Sequence, residues 1–156
     1  MQYSFQGKVA MVSGAESGIG AATVRLLAAN DLSVVASDVN EDAARQIVAD
    51  MEATGSRTVA HAGDVAQPET AQAAVDCARK HFGSLQLASN NAGVGEEPCP
   101  VAAMDPADWQ RILDINLSGV MYAMRAQIPA LLAAGGGAIV NMSSILGLVG
   151  NPGAPA

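Results

Sequence analysis

The sequence is poor in the residues that support several classes of protein. Only two of its 156 residues are cysteines, Cys77 and Cys99, so a disulfide framework is excluded, and no His or Cys cluster has the spacing of a metal site. Eight basic residues stand against 15 acidic ones, and the formal net charge of −7 repels nucleic acid and anionic membrane surfaces. No apolar run has the form of a membrane span or a signal peptide. These absences favour a cytoplasmic protein with no metal ion, no nucleic acid and no membrane among its partners.

Half of the residues are hydrophobic, which is enough for a single domain with a sizeable core over residues 1–156. Short aliphatic runs alternate along the chain with longer segments in which apolar residues recur at helical spacing. Strands that are apolar on both faces and separated by helices form parallel sheets with helices on both sides. The pattern therefore predicts a doubly wound α/β fold whose five strands are residues 9–12, 34–36, 58–60, 85–89 and 138–140.

The predicted helices carry recognisable start signals. We expect Asn40 to cap the second helix and Pro68 to begin the third. Asp105 followed by Pro106 predicts the start of a long helix that is kinked near Pro129 and ended by a glycine run. The first helix is expected to place four apolar residues on one face: Ile19, Ala22, Leu26 and Leu27.

A glycine-rich turn joins the first strand to the first helix. Its glycines, Gly14, Gly18 and Gly20, follow the spacing G-x-x-x-G-x-G, which differs from the more widespread G-x-G-x-x-G. Glycines in this place let the backbone turn tightly and approach a pyrophosphate, whose charge is met by free N–H groups at the helix start. The motif alone does not distinguish a dinucleotide site from a bare turn that binds nothing.

An acidic residue, Asp38, comes at the end of the second strand. A carboxylate in this place can accept hydrogen bonds from the adenosine ribose hydroxyls, and its charge repels the extra phosphate of NADP. No Lys or Arg occurs between Gly14 and Gly20, so the sequence favours NAD over NADP. An aspartate here can also be a loop or capping residue. The glycine turn and the acid together would also suit a methyltransferase that binds S-adenosylmethionine.

Polar motifs follow the remaining strands, and with them the sequence resembles the short-chain dehydrogenase/reductase family over essentially its whole length. Taken alone, each motif has an ordinary explanation as a turn or a strand end, but their common order at successive strand ends makes coincidence improbable. In chain order the motifs are Phe5-Gln6-Gly7-Lys8-Val9, Asp64-Val65, Asn90-Asn91-Ala92-Gly93, Asn116 and Ser143-Ser144.

The resemblance implies a Rossmann fold that is incomplete at its carboxyl end. It also implies an enzyme that transfers hydride between NAD(H) and a secondary alcohol or ketone. It places Asp64 and Val65 against the adenine. Residues 90–93 would support the central sheet and line the cofactor. The predicted cofactor-binding residues are Gly14, Glu16, Ser17, Gly18, Ile19, Gly20, Asp38, Val39, Asp64, Val65, Asn91, Ala92 and Gly93.

Two polar residues, Asn116 and Ser144, are the catalytic candidates. Asn116 falls on the apolar stripe of the long helix, so a buried amide is expected, either satisfied by neighbouring backbone or, as the resemblance implies, helping to hold a water of the proton relay. Ser144 follows the fifth strand, where the family's serine hydrogen-bonds the substrate oxygen. Ser143 is the other candidate for that serine, and a turn-forming role is the alternative for the position. The stripe is defined by Trp109, Ile112, Leu113, Leu117 and Val120.

The family's Tyr-x-x-x-Lys motif is absent from these residues. Its tyrosine is the general acid or base, and its lysine lowers the tyrosine pKa. The family places that tyrosine thirteen residues after its serine, and counting from Ser144 leads one position beyond Ala156. We therefore expect a portion of a longer protein, inactive alone, whose fifth strand is an exposed edge that promotes aggregation or needs a partner.

The resemblance further implies that the complete enzyme is a dimer or a tetramer. A chain that truly ends at Ala156 would instead be a non-catalytic dinucleotide-binding module, which is the alternative function. The substrate itself is not readable from these residues.

Overall fold

A five-stranded sheet organises the chain in the computed structural model, which describes residues 5, 8–95 and 97–150. Neighbouring strands pair in parallel, in the order β3-β2-β1-β4-β5. This order reverses beside β1, so the carboxyl ends of β1 and β4 flank the crevice in which open α/β sheets bind ligands. The predicted doubly wound Rossmann fold is confirmed. The strands are β1 Val9–Ser13, β2 Ser33–Asp38, β3 Thr58–Ala62, β4 Leu87–Asn90 and β5 Ala138–Asn141.

Helices cover both faces of the sheet. Ala10 and Val12 of β1 belong to a core cluster with residues of the first two helices, whereas Val9 and Met11 belong to a second cluster with residues of the third and fifth helices. This alternation follows from the two-residue period of a strand, which points successive side chains to opposite faces. The helices are α1 Gly18–Ala28, α2 Glu41–Glu52, α3 Pro68–Phe82, α4 Pro106–Leu113 and α5 Gly119–Ala133, with short 3₁₀ turns at Val101–Ala103 and Ile145–Gly147.

The predicted start signals of the helices are confirmed. Asn40 Oδ1 accepts a hydrogen bond from Ala43 N at 3.2 Å, and Asp105 Oδ1 accepts one from Ala107 N at 2.8 Å. Each bond satisfies a backbone donor that has no partner inside its helix. Pro68 occupies the first turn of α3, where its missing N–H costs nothing.

The predicted inner face of α1 is confirmed at Leu27 and wrong at its other three residues, Ile19, Ala22 and Leu26. Ile19 is 61% exposed and Leu26 is 42% exposed, whereas the residues that pack inward are Gly20, Ala21, Val24, Leu27 and Ala28. The orientation of the helix follows from its glycine-rich start, because Gly20 packs against the carbonyl of Gly14 and turns the side chain of Ile19 to the opposite side. Ile19 instead borders the crevice at the end of the sheet.

The long helix is interrupted between α4 and α5. Residues Asp114–Ser118 form a π-helical turn, and α5 then continues through Pro129 to Ala133. Such turns are rare and are found at functional sites more often than elsewhere. The fourth strand is also shorter than predicted: β4 begins at Leu87, and Leu85 is a fully buried residue that precedes it.

The prediction that β5 forms an edge of the sheet is confirmed. Every residue of β1 and β2 is buried, but Val140 of β5 is 59% exposed and only Ile139 of that strand is partly covered. The opening motif falls partly on residues 6 and 7, which lie outside the described residues, as do residues 151–156.

Candidate functional site

The glycine turn after β1 is shaped by close backbone packing. Gly14 has a φ of +65° and Gly18 a φ of +51°, values that favour glycine over residues with a side chain. A Cβ atom on Gly14 would lie 2.8 Å from Ala92 Cα, and one on Gly20 would lie 1.8 Å from Gly14 O. The turn therefore packs directly against the segment after β4, and the start of α1, at Gly18 and Ile19, borders the crevice.

Asp38 connects the glycine turn to the end of β2. The residue is 5% exposed. Its Oδ2 accepts a hydrogen bond from Glu16 N at 3.0 Å, and its Oδ1 accepts one from Asn40 N at 3.1 Å. A carboxylate can accept about four hydrogen bonds, so both oxygens keep capacity for a further donor. The next residue, Val39, is 72% exposed at the rim of the crevice.

Asp64 and Val65 lie beyond the end of β3. Asp64 Oδ1 accepts a hydrogen bond from Ala66 N at 2.9 Å, which is the turn-forming role that a strand-terminating aspartate plays. Both residues nevertheless border the crevice, together with Gly63, which the motif reasoning did not single out.

The segment after β4 is attached to the glycine turn by several hydrogen bonds. Ser13 Oγ accepts from Asn91 N at 3.1 Å and from Ala92 N at 3.2 Å. Asn91 Nδ2 in turn donates to Ser13 O at 3.1 Å and to Gly14 O at 3.2 Å. These hydrogen bonds hold the segment after β4, which forms the floor of the crevice, against the glycine turn.

The expectation that Asn116 is a buried amide is wrong. Asn116 is exposed and lies in the π-helical turn, and the predicted stripe is buried only in part: Ile112 is 4% exposed, but Trp109 is 41% and Leu117 is 65% exposed. The amide is satisfied by neighbouring backbone: Oδ1 accepts from Val94 N at 2.9 Å and Nδ2 donates to Val94 O at 2.8 Å. The π-helical turn rotates the helix surface, which period counting over a regular helix does not anticipate.

Ser143 and Ser144 follow β5 and are both exposed. Ser144 Oγ accepts a hydrogen bond from Leu146 N at 3.2 Å, as a residue that caps a short turn does. An oxygen that accepts from the backbone keeps its own hydrogen, so the Ser144 hydroxyl can still donate to a second oxygen.

A half-buried histidine, His61, lies on β3 next to the residue before Asp38. His61 Nδ1 lies 3.1 Å from Ser37 Oγ, and the two residues are register partners on β3 and β2. Burial lowers the pKa of His61 below its ordinary value, because a charged ring loses hydration in this position.

These pieces enclose one cleft of about 590 Å³ at the carboxyl end of the sheet. All of the predicted cofactor-binding residues border it except Gly20, which is buried behind the turn. Asn116 and Ser144 do not border it, although their neighbours Ile115 and Met142 do. Sequence reasoning did not single out Gly63, Ile115 and Met142, since a glycine or an apolar residue by itself gives no signal of a ligand.

Groups of three or more potential metal ligands are absent from the residues that the structure describes, and Cys77 and Cys99 are both free. Within the same residues, every helix is too short or too polar to cross a bilayer.

Comparison with known proteins gives a consistent family. The short chain dehydrogenase family model matches residues 8–156. A cyclohexanol dehydrogenase from Acinetobacter sp. (strain SE19) is 46% identical over 150 residues, which cover 96% of this chain and 60% of that protein. A cis-4-hydroxycyclohexanecarboxylate dehydrogenase from Sinomonas cyclohexanicum is 42% identical over 150 residues, with the same coverage of 96% and 60%.

A solved structure of the same family has the same fold. The crystal structure of a short chain dehydrogenase/reductase from Burkholderia phymatum in complex with NAD superposes with a TM-score of 0.92 at 33% identity, covering 97% of this chain and 54% of that one. The chain thus spans between 54% and 60% of the length of these proteins. From the family match and the shared fold, the chain belongs to the short-chain dehydrogenase family.

Proposed function

We propose that this chain is the cofactor-binding part of a longer NAD(H)-dependent dehydrogenase that interconverts a secondary alcohol and a ketone. One observation carries the proposal: the glycine turn, Asp38 and residues 91–93 come from separate parts of the sequence and border the same cleft. Because the relatives are longer than this chain, the activity is proposed for the complete protein and not for these 156 residues alone.

The residues present fit a dinucleotide. Gly14 and Gly20 have no room for a Cβ atom, so the turn keeps its backbone donors open towards the cleft. Asp38 has capacity for two ribose hydroxyls. Among the described residues that border the cleft, none is Lys or Arg, so no cation is present there to bind a 2′-phosphate. These features favour NAD over NADP.

When bound, the nicotinamide supplies or accepts the hydride, and the chain supplies geometry and hydrogen bonds. Ser144 would donate its hydroxyl hydrogen to the substrate oxygen, while its Oγ stays oriented by Leu146 N. Asn116 holds Val94 at the edge of the cleft and would organise the proton relay. The proton itself would be exchanged by the tyrosine that the family resemblance places beyond Ala156.

For the substrate, we propose an uncharged secondary alcohol on a carbocyclic ring. The two relatives are named for cyclohexanol and for a hydroxycyclohexanecarboxylate. Val94, Ile115 and Met142 add apolar surface to the cleft next to the residues proposed to act on the substrate, which suits a hydrocarbon ring. The described border of the cleft offers no cation to pair with a carboxylate.

The test is a steady-state assay of the full-length protein with NAD and either cyclohexanol or cis-4-hydroxycyclohexanecarboxylate. We expect NADH formation with both, and a higher kcat/KM for cyclohexanol. A higher kcat/KM for the carboxylate would contradict the substrate proposal, and absence of NADH formation with any secondary alcohol would contradict the function.

The 156-residue polypeptide by itself should show no NAD-dependent alcohol oxidation in the same assay, and turnover by the purified fragment would overturn this expectation. The cytoplasmic location and the dimeric or tetrameric state of the complete enzyme stay predictions.

A further inference from the structure

Two amide side chains are buried against each other behind the cleft, one on β4 and one on α5. Gln127 is 0% exposed and Asn90 is 3% exposed. Gln127 Nε2 donates to Asn90 Oδ1 at 2.7 Å, and Asn90 Nδ2 donates to Gln127 Oε1 at 3.1 Å. The second hydrogen of Gln127 Nε2 faces Met11 Sδ at 3.5 Å, which is a weak acceptor. Each amide therefore satisfies the other in a place where an unpaired polar group would be costly.

The hydrogen bonds of the paired amides extend to the end of β5. Asn90 Nδ2 also donates to Asn141 Oδ1 at 2.8 Å, and Asn90 O accepts from Met142 N at 2.9 Å. Asn90 and Asn141 are register partners and are the last residues of their strands. The segment that carries Ser143 and Ser144 begins directly after this contact, so Asn90 touches the point where that segment leaves the sheet through both its side chain and its carbonyl.

The cofactor floor does not depend on the same contacts. Asn91 and Ala92 are held by Ser13, whose hydroxyl accepts from both of their N–H groups. Asn91 is bonded in addition to the carbonyls of Ser13 and Gly14. A change at Gln127 should therefore disturb the serine segment more than the cofactor floor.

We propose that Gln127 is a positioning residue for the reaction, acting through Asn90 and Asn141 on the segment that carries the two serines. The proposal rests on the proposed function, because it assigns this segment to the substrate. Packing alone does not require this pair of amides, since two apolar side chains of similar shape would fill the same space without needing hydrogen-bond partners.

The test compares Gln127→Met and Asn141→Ala in the full-length protein. Gln127→Met keeps the volume and removes the amide, whereas Asn141→Ala removes the last link of the network at an exposed residue. We expect kcat for the alcohol to fall roughly ten- to hundredfold in Gln127→Met, because small displacements of a reacting group have effects of this order. Asn141→Ala should show a smaller fall. The Kd for NADH, measured by fluorescence titration, should not change in either variant.

The matched control is Gln46→Met. Gln46 is an exposed glutamine on α2 whose Nε2 donates a hydrogen bond to Asp50 Oδ1, and its replacement should leave kcat unchanged. If Gln127→Met does not fold, as judged by circular dichroism, the kcat and the NADH Kd of Asn141→Ala test the proposal by themselves.

Unchanged kcat in the folded variants would overturn the proposal. So would a loss of NADH affinity as large as the loss of kcat, because that result would mean general damage to the cleft. An unmodified full-length protein that oxidises no alcohol would instead contradict the proposed function itself, and this outcome is visible before any variant is compared.

Discussion

The residues proposed to bind the nucleotide (the nucleotide half, from β1 and β2) and the residues proposed to act on the substrate (the reacting half, from β5 and the segment after it) differ in how well this chain packs them. On the nucleotide half, β1 and β2 are entirely buried, and Asp38 is held by two backbone N–H groups. On the reacting half, β5 is a sheet edge, and the following segment exposes apolar side chains such as Ile145 at 72% and Leu148 at 87%.

Under the proposed function, the difference means that cofactor recognition and catalysis depend on separate stretches of sequence. The nucleotide half is preorganised by contacts that all lie within the described residues. Exposed side chains as apolar as those after β5 indicate a surface to be covered, and we expect the remainder of the longer protein to cover it. Substitutions in the two halves should therefore change different measured quantities in the full-length protein.

The largest effect is expected from Gly20→Ala on the nucleotide half. Its Cβ would lie 1.8 Å from the carbonyl oxygen of Gly14, so the turn or the start of α1 must move. We expect the free energy of unfolding to fall by about 3 kcal/mol or more, at the upper end for overpacking, and NADH binding to be lost. Urea unfolding and fluorescence titration measure both. Gly95→Ala, where a Cβ meets open space, is the control. A Gly20→Ala variant with unchanged unfolding free energy and NADH affinity would contradict the tight packing of the turn.

The next effect is expected from Ser144→Ala on the reacting half. Loss of the hydroxyl should lower kcat roughly 10²- to 10³-fold, about 2.7–4 kcal/mol, which is the usual cost of removing a donor to the reacting oxygen. The Kd for NADH should stay unchanged, which sharpens the contrast with Gly20. Ser143→Ala is the matched control and should retain most of the activity. A larger loss in Ser143→Ala would exchange the roles of the two serines.

A smaller effect is expected from Asp38→Asn, because the amide removes the charge but keeps a similar shape. We expect the free energy of NADH binding to weaken by about 1.5–3 kcal/mol, the range for hydrogen bonds to charged groups, and the preference for NADH over NADPH to narrow. Titrations with both cofactors measure this, with the exposed Asp76→Asn as control. If Asp38→Asn lowers kcat and leaves NADH affinity intact, the separation of the two halves fails.

The smallest effect concerns the pH dependence of stability in the nucleotide half. Burial lowers the pKa of His61 from its ordinary value of 6.5, so the folded protein favours the neutral ring. This contribution is fully present above the ordinary pKa and is lost as the pH falls through the lowered pKa of the folded state. Urea unfolding at about pH 7.5 and pH 5.5 should show a smaller acid-induced loss in His61→Asn than in the unmodified protein. An equal loss would contradict the assignment, and the exposed His81→Asn is the matched control.

The strands and most helix boundaries could be predicted because their signals are local. Asn40, Pro68 and Asp105 act on backbone groups within three residues of themselves, so their roles can be read from the chain. The positions of Ile19 and Asn116 could not be predicted in this way. Ile19 is turned outward by the packing of Gly20 on Gly14, and Asn116 by a π-helical turn, and neither effect has a local sequence signal.

The network around Gln127 shows the same limit. A glutamine on a largely apolar helix reads as an outward-facing residue, yet it is fully buried because Asn90, 37 positions away, offers a matching amide. Ile115 and Met142, two apolar residues that border the cleft, were likewise recognisable only once the strands were assembled.

The sequence by itself determined the order of strands and helices, the glycine turn and the acid that follows β2, because periodicity, capping and backbone freedom act over a few residues. Only the tertiary structure decided which of these groups share one cleft, which helix face is buried, and which amides pair across the sheet. Those outcomes depend on contacts between residues far apart in the chain, whose free energy is gained only when the sheet is complete.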